Sequence, residues 1–96
     1  MKINFTAELK TLGGESLQPP TTLKEVAVNA LLAMLEDERH ISGEDKAKRW
    51  LLATRIYSNP EGVDLAVEEV ALIKNLIGKA YLPLIVGQAW QMLEGA

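Results

Sequence analysis

His40 is the only histidine in the chain, and Glu36 stands four residues before it. On a continuous helix that spacing sets an imidazole and a carboxylate on one face. Such a pair can hold a metal ion, but one imidazole with flexible carboxylates makes a weak, unselective site, and no HExxH pattern is present. His40 reads instead as a solvated residue near a helix end, where its partial positive charge suits the carbonyl terminus. Ser16, Ser42 and Ser58 fall at expected turns or caps, none of them in a G-x-S-x-G elbow. The carboxylates Glu61, Asp64, Glu68 and Glu69 form a local acidic group. Paired carboxylates do acid–base work when burial raises one pKa, but here they flank a turn and a helix start, where solvation and the helix dipole account for them. With no cysteine the chain has no thiolate nucleophile or thiolate metal site, and no disulfide framework. The expectation is a protein that is not an enzyme and takes no cofactor or metal.

Phosphate binding finds little support. Gly13-Gly14 lacks the lysine of a nucleotide loop and precedes a strand rather than a helix, which makes it a hairpin turn. Lys46, Lys48, Arg49 and Arg55 on the second expected helix are the alternative worth weighing, a small nucleic-acid-binding regulator. Against it, Glu44 and Asp45 occupy the helix end that would approach phosphates. The net charge of −3 also supplies no recruiting field.

The elements that would position these residues read clearly. Lys2 to Lys10 alternates, with Ile3, Phe5, Ala7 and Leu9 on one face, the period of a half-buried strand. The turn at Gly13-Gly14 returns the chain through Leu17, and Pro19-Pro20 ends pairing. Thr22 to Glu25 matches a capping box and opens a helix over 22–37 that is apolar nearly all round, with Asn29 on a narrow wet stripe with Glu25 and Glu36. A second helix spans 43–58, capped by Ser42, with Trp50, Ala53, Thr54 and Tyr57 on its apolar side, Leu51 beside them, and the four basic residues solvated. Asn59 to Gly62 is a turn, Val63 to Leu65 a short extended segment that docks on the hairpin as a third strand, and 67–80 a helix with Val70, Ile73 and Ile77 buried. Pro83 starts a last helix over 83–94. The expected fold is α+β, one domain over 1–96 with an N-terminal hairpin at 1–18 and four helices.

A mean hydropathy of +0.04 is high for 96 residues, because so small a domain cannot hide every aliphatic side chain. The run from Ala80 to Leu93 holds no charge but is too short and too interrupted by Pro83 and Gly87 to span a bilayer. The opening residues contain no signal-peptide core, so the expected location is cytoplasmic, without a membrane. Interfaces lose charge at their centre and gain aromatic residues and methionine. On that basis Leu72, which projects from a polar stripe, and Tyr81, Leu84, Gln88, Trp90, Gln91 and Met92 on the C-terminal helices are the candidate protein-interaction residues. Gly87 is expected at a close helix crossing.

Three stretches, MKINFTAELKTLGGESL, TTLKEVAVNALLAML and VDLAVEEVALIKNLIGKAYLPLIVGQAWQMLEG, resemble small proteins of tailed bacteriophages and prophages. Gly13-Gly14 stands where such sequences usually carry Asp-Gly, and Ala66 where they carry Ser or Thr, which implies a weaker cap on the third helix. The resemblance implies a bacterial host cytoplasm, with virion association as a further option. The charge-free run, the misplaced Leu72 and the absence of catalytic groups add the expectation of a non-enzymatic accessory protein that binds protein, itself or other phage proteins, with self-association through the C-terminal helices. The resemblance carries over no functional residue.

Overall fold

The computed structural model describes residues 1–33 and 41–94. In chain order it forms β1 (Lys2–Ile3), α1 (Leu23–Leu32), α2 (Gly43–Ser58), β2 (Val63–Asp64), α3 (Val67–Ala80) and α4 (Pro83–Glu94). The fold is α+β, an N-terminal hairpin and a short additional strand packed on four helices.

The N-terminal ribbon buries Ile3, Phe5 and Leu9 to 1% exposure or less, as its alternation predicts. Ala7 departs from the pattern and faces outward. The reason is local: Asn4 Oδ1 accepts from the Thr6 N–H at 2.8 Å and from its hydroxyl at 2.6 Å, an Asx turn that interrupts the pleat. The ribbon then changes partners along its length. Phe5 N–H donates to the Pro60 carbonyl (2.7 Å), Ala7 O accepts from Leu23 N–H (2.9 Å), and Leu9 N–H donates to Thr21 O (2.8 Å). Regular pairing survives at the start, where β1 and β2 run antiparallel with Lys2 opposite Asp64 and Ile3 opposite Val63. An antiparallel bridge from Lys10 to Ser16 closes the hairpin around Gly14, whose φ of 91° is one that a side chain would strain.

The central helix is α1, which packs on α2, α3 and α4. Thr22 caps it, accepting from Glu25 N–H at 3.4 Å, and Leu23, Val26, Ala27, Ala30 and Leu31 are buried. Glu25 and Asn29 share the exposed side, as expected; Glu36, their third expected companion, lies outside the described residues. The helix stops at Leu32, short of the expected end between Leu35 and Asp37, and Ala33 is extended (φ −73°, ψ 145°). A longer helix would carry Glu36, Asp37 and Glu38 into its negative end.

On α2 the observed inward face is turned from the expected one. Arg49, Leu52, Ala53 and Ile56 are buried, an i, i+3, i+4, i+7 stripe, whereas Trp50, Leu51 and Tyr57 are 58%, 56% and 66% exposed. Ala53 is common to both stripes, so hydrophobicity alone could not choose between them. Leu52, Ala53 and Ile56 join the core, and the bulky aromatic rings are left outside. Arg49 is therefore not among the solvated cations. In α3, Val70, Ile73, Leu76 and Ile77 face the core. Ala66 offers no capping oxygen, but Glu69 Oε1 accepts the Ala66 N–H at 2.8 Å and supplies half of a capping box from inside the helix. In α4, Ala89 and Leu93 are fully buried. Each large aliphatic side chain so buried contributes roughly 1.5–3 kcal/mol before the entropy of ordering the chain is counted.

Candidate functional site

The outward stripe of α4 carries Leu84, Gly87, Gln88 and Gln91, and the hairpin turn lays Thr11 and Leu12 beside it. With Pro83 these residues line a shallow depression of about 380 Å³ in which no charged side chain takes part. Leu12 is 97% exposed and Leu84 41%. A leucine so exposed at a turn is held there by Gln88: the Lys10 N–H donates to Gln88 Oε1 (2.8 Å), and Gln88 Nε2 donates to Lys10 O (2.6 Å) and to Leu84 O (3.0 Å). The Gln88 amide is thus committed inside the molecule, fastening the turn to α4. The side chain of Gln91, one turn on, bonds no described residue.

Among the described residues Gly87 does not sit at a helix crossing: a β-carbon placed there would meet none of their atoms within 4 Å, and its φ is not positive. A glycine in an exposed helix interior costs about 1 kcal/mol relative to alanine. The close approach between α3 and α4 occurs at Gly78 instead, where a β-carbon would lie 3.5 Å from Trp90 Cζ2.

Trp90 belongs to that joint. Its indole Nε1–H donates to Lys74 O at 3.0 Å, the Lys74 ammonium lies 4.7 Å from the ring centroid, and the same ammonium pairs with Glu94 at 2.5 Å. Tyr81 and Met92 pack partly against the core, as does Leu72, which shares a groove between α2 and α3 with Leu51, Leu52 and Arg55. Of the seven residues expected from sequence, the fold gathers Leu84, Gln88 and Gln91 on one face and places the other four elsewhere.

A second apolar surface escaped the sequence reading. Val28 and Leu32 of α1 and Trp50, Thr54 and Tyr57 of α2 line an open groove of about 300 Å³, with the Lys24 ammonium 4.8 Å from the Tyr57 ring centroid. The seven-residue spacing of Trp50 and Tyr57 carries the signal, but the same spacing equally suits an inward stripe.

The charged groups are largely structural. Arg55 binds Asp64 O (3.3 Å) and the Glu69 carboxylate (3.4 Å), and Lys48 lies 3.7 Å from Glu44. Asp64 holds the terminal ammonium at 3.2 Å. The hydroxyl of Ser42 caps α2 and that of Ser58 bonds Thr54 O. Ser16 donates to Glu8 at 2.5 Å, and this bond, with the Lys10 ammonium 3.3 Å away, lowers the Glu8 pKa below its usual value. His40 and Glu36 lie outside the described residues. Among the described residues no three His, Cys, Asp or Glu side chains are grouped to hold a metal ion, and no helix is long and apolar enough to cross a membrane.

No protein-family model, curated protein or solved structure matches this chain.

Proposed function

We propose that this chain is a non-catalytic protein-binding component that docks protein through the uncharged face built by Thr11, Leu12, Leu84, Gly87 and Gln91. The observation that carries the reading is that Leu12 and Leu84 stand exposed around a depression with no charged side chain in its lining. Depletion of charge around exposed apolar groups is the composition of an interface centre. The likeness of three stretches to small phage and prophage proteins supplies the setting, an accessory role in a bacterial host. The nucleic-acid alternative has less to stand on, because Lys48 and Arg55 face acidic partners of the same chain and Arg49 is buried.

The test is a photo-crosslinking residue at position 12, in a host that carries a tailed phage. A single identified adduct, formed again with the purified partner and lost in Leu84→Lys, supports the reading. Labelling no stronger than from position 61, on the far turn, overturns it. A second reading rests on the exposed Trp50 and Tyr57. Aromatic residues dominate binding hot spots, so their groove suits a different protein, and crosslinking from position 57 tests it in the same way.

A further inference from the structure

We propose that the groove between α2 and α3 seats a second copy of this chain, the two related by a two-fold axis beside Leu51 and Leu72 that lays Lys48 of each copy on Glu68 of the other.

The groove exists because α2 and α3 each pack on α1 and only sparsely on one another. Lys48, Leu51, Leu52 and Arg55 line its α2 wall, and Glu68, Glu69 and Leu72 its α3 wall. Leu52 closes the floor, whereas Leu51 stands 56% exposed above it. The Arg55 guanidinium lies 3.4 Å from the Glu69 carboxylate, which places the start of α3 beside the end of α2. Glu68 is therefore at the Arg55 end of the groove. Lys48 stands two turns back along α2, roughly 10 Å away at a rise of 1.5 Å per residue, at the other end.

Lys48 and Glu68 thus hold diagonally opposite corners, one a cation and one an anion, with Leu51 and Leu72 between them. A two-fold axis through the middle of such a pattern exchanges the corners and brings opposite charges together twice. A partner bearing one sign of charge would be drawn to one corner and repelled at the other. A second copy carries the matching pattern by symmetry. Near the axis each residue meets its own kind, which suits the uncharged Leu51 and Leu72.

Both corner groups are available. Glu68 is exposed and forms no hydrogen bond or ion pair with a described residue. Among the described residues Lys48 pairs with Glu44 alone, at 3.7 Å, with the two side chains 66% and 79% exposed. An ion pair so open to water contributes little and yields readily to a better one. Arg55 and Glu69 neutralise one another and leave the corner charges to decide.

This association engages other residues than the docking proposed for the α4 face, and the two fail on different results. The docking falls on a missing adduct from position 12, the association on mass.

Sedimentation equilibrium on the purified chain at low ionic strength tests it. The expected species is a reversible dimer of twice the 10.5 kDa chain mass. Lys48→Glu sets carboxylate against carboxylate at both corners, and Glu68→Lys sets ammonium against ammonium. Each alone should weaken association about tenfold, an effect that shrinks as salt is added. Mixed in equal amounts, the two variants restore an opposite pair at each corner and should associate as tightly as the unaltered chain. Leu51→Asp, which puts a charge near the axis, should weaken association about tenfold or more, whereas Leu12→Asp, on another face, should leave the mass unchanged. Circular dichroism at low concentration checks that each variant keeps its helices. A chain that stays monomeric at millimolar concentration overturns the assignment. So does a dimer that either charge variant leaves untouched, or a mixture that associates no better than its components.

Discussion

The side-chain amide of Gln88 forms a closed pair with the backbone of Lys10, donating to its carbonyl and accepting its N–H, across 78 residues of chain. The pair does for the hairpin what a neighbouring strand would do for an edge. Replacing Gln88 with leucine removes both bonds and leaves Lys10 to find water. A net contribution of about 1 kcal/mol per bond gives an expected loss of roughly 1–3 kcal/mol in urea unfolding. Hydrogen exchange should quicken at Lys10 more than at Leu9, whose N–H bonds Thr21 instead.

The inward face of α2 can be checked by truncation. Ile56→Ala should cost about 2–5 kcal/mol, as for a buried aliphatic residue, whereas Trp50→Ala and Tyr57→Ala should each change stability by about 0.5 kcal/mol or less. The reverse ranking would restore the aromatic stripe to the interior.

Ala66 occupies the N-cap of α3 with φ −74° and ψ 160°, a conformation that suits a capping side chain. Ala66→Ser should therefore complete the box that Glu69 half supplies and raise stability by about 0.5–2 kcal/mol, read as an increase in Tm.

At Gly78 a β-carbon would meet the Trp90 ring at an ordinary contact distance of 3.5 Å. Gly78→Ala should gain helix propensity without displacing the indole, for up to about 1 kcal/mol of added stability. The fluorescence maximum of a Trp50→Phe background, which reports Trp90 alone, should stay where it was.

Acid should loosen the hairpin at Glu8. The Ser16 hydroxyl first, and then Lys10, lower the pKa of Glu8 from its ordinary 4.5, so the carboxylate is favoured more in the folded chain than in the unfolded one. Its stabilising contribution is fully present above that ordinary value and is lost as pH falls through the lowered one. Glu8 is exposed, so the effect is local: protection of the amides around Ser16, taken relative to the intrinsic exchange rate at each pH, should fall in acid, and Glu8→Gln should abolish that fall.

The helices were legible because their ends carry chemical punctuation. Ser42, Asn59, Pro83 and the acidic first turn of α3 mark boundaries that the structure keeps. What the sequence concealed was rotation. Residues 49 to 57 of α2 contain two overlapping stripes that share Ala53, one with Leu52 and Ile56 and one with Trp50 and Tyr57, and the choice between them is made by tertiary packing, which helical spacing does not encode. Nothing local reveals that Trp90 and Gln88 bond Lys74 and Lys10. Leu84 and Gln91 were recognised by the absence of charge around them, but Leu12 was not, since a turn residue comes beside α4 only once the chain has folded.

The ribbon from Phe5 to Lys10 takes its bonds from Pro60, Lys24, Leu23, Thr21 and Gln88 in turn. Thr21, Leu23 and Lys24 lie near the ribbon in the sequence, whereas Pro60 and Gln88 are far along it. Loop closure is the slower step for the distant pair. In time rather than space, the ribbon is therefore fastened in two stages, its middle to the start of α1 and its two ends to Pro60 and Gln88.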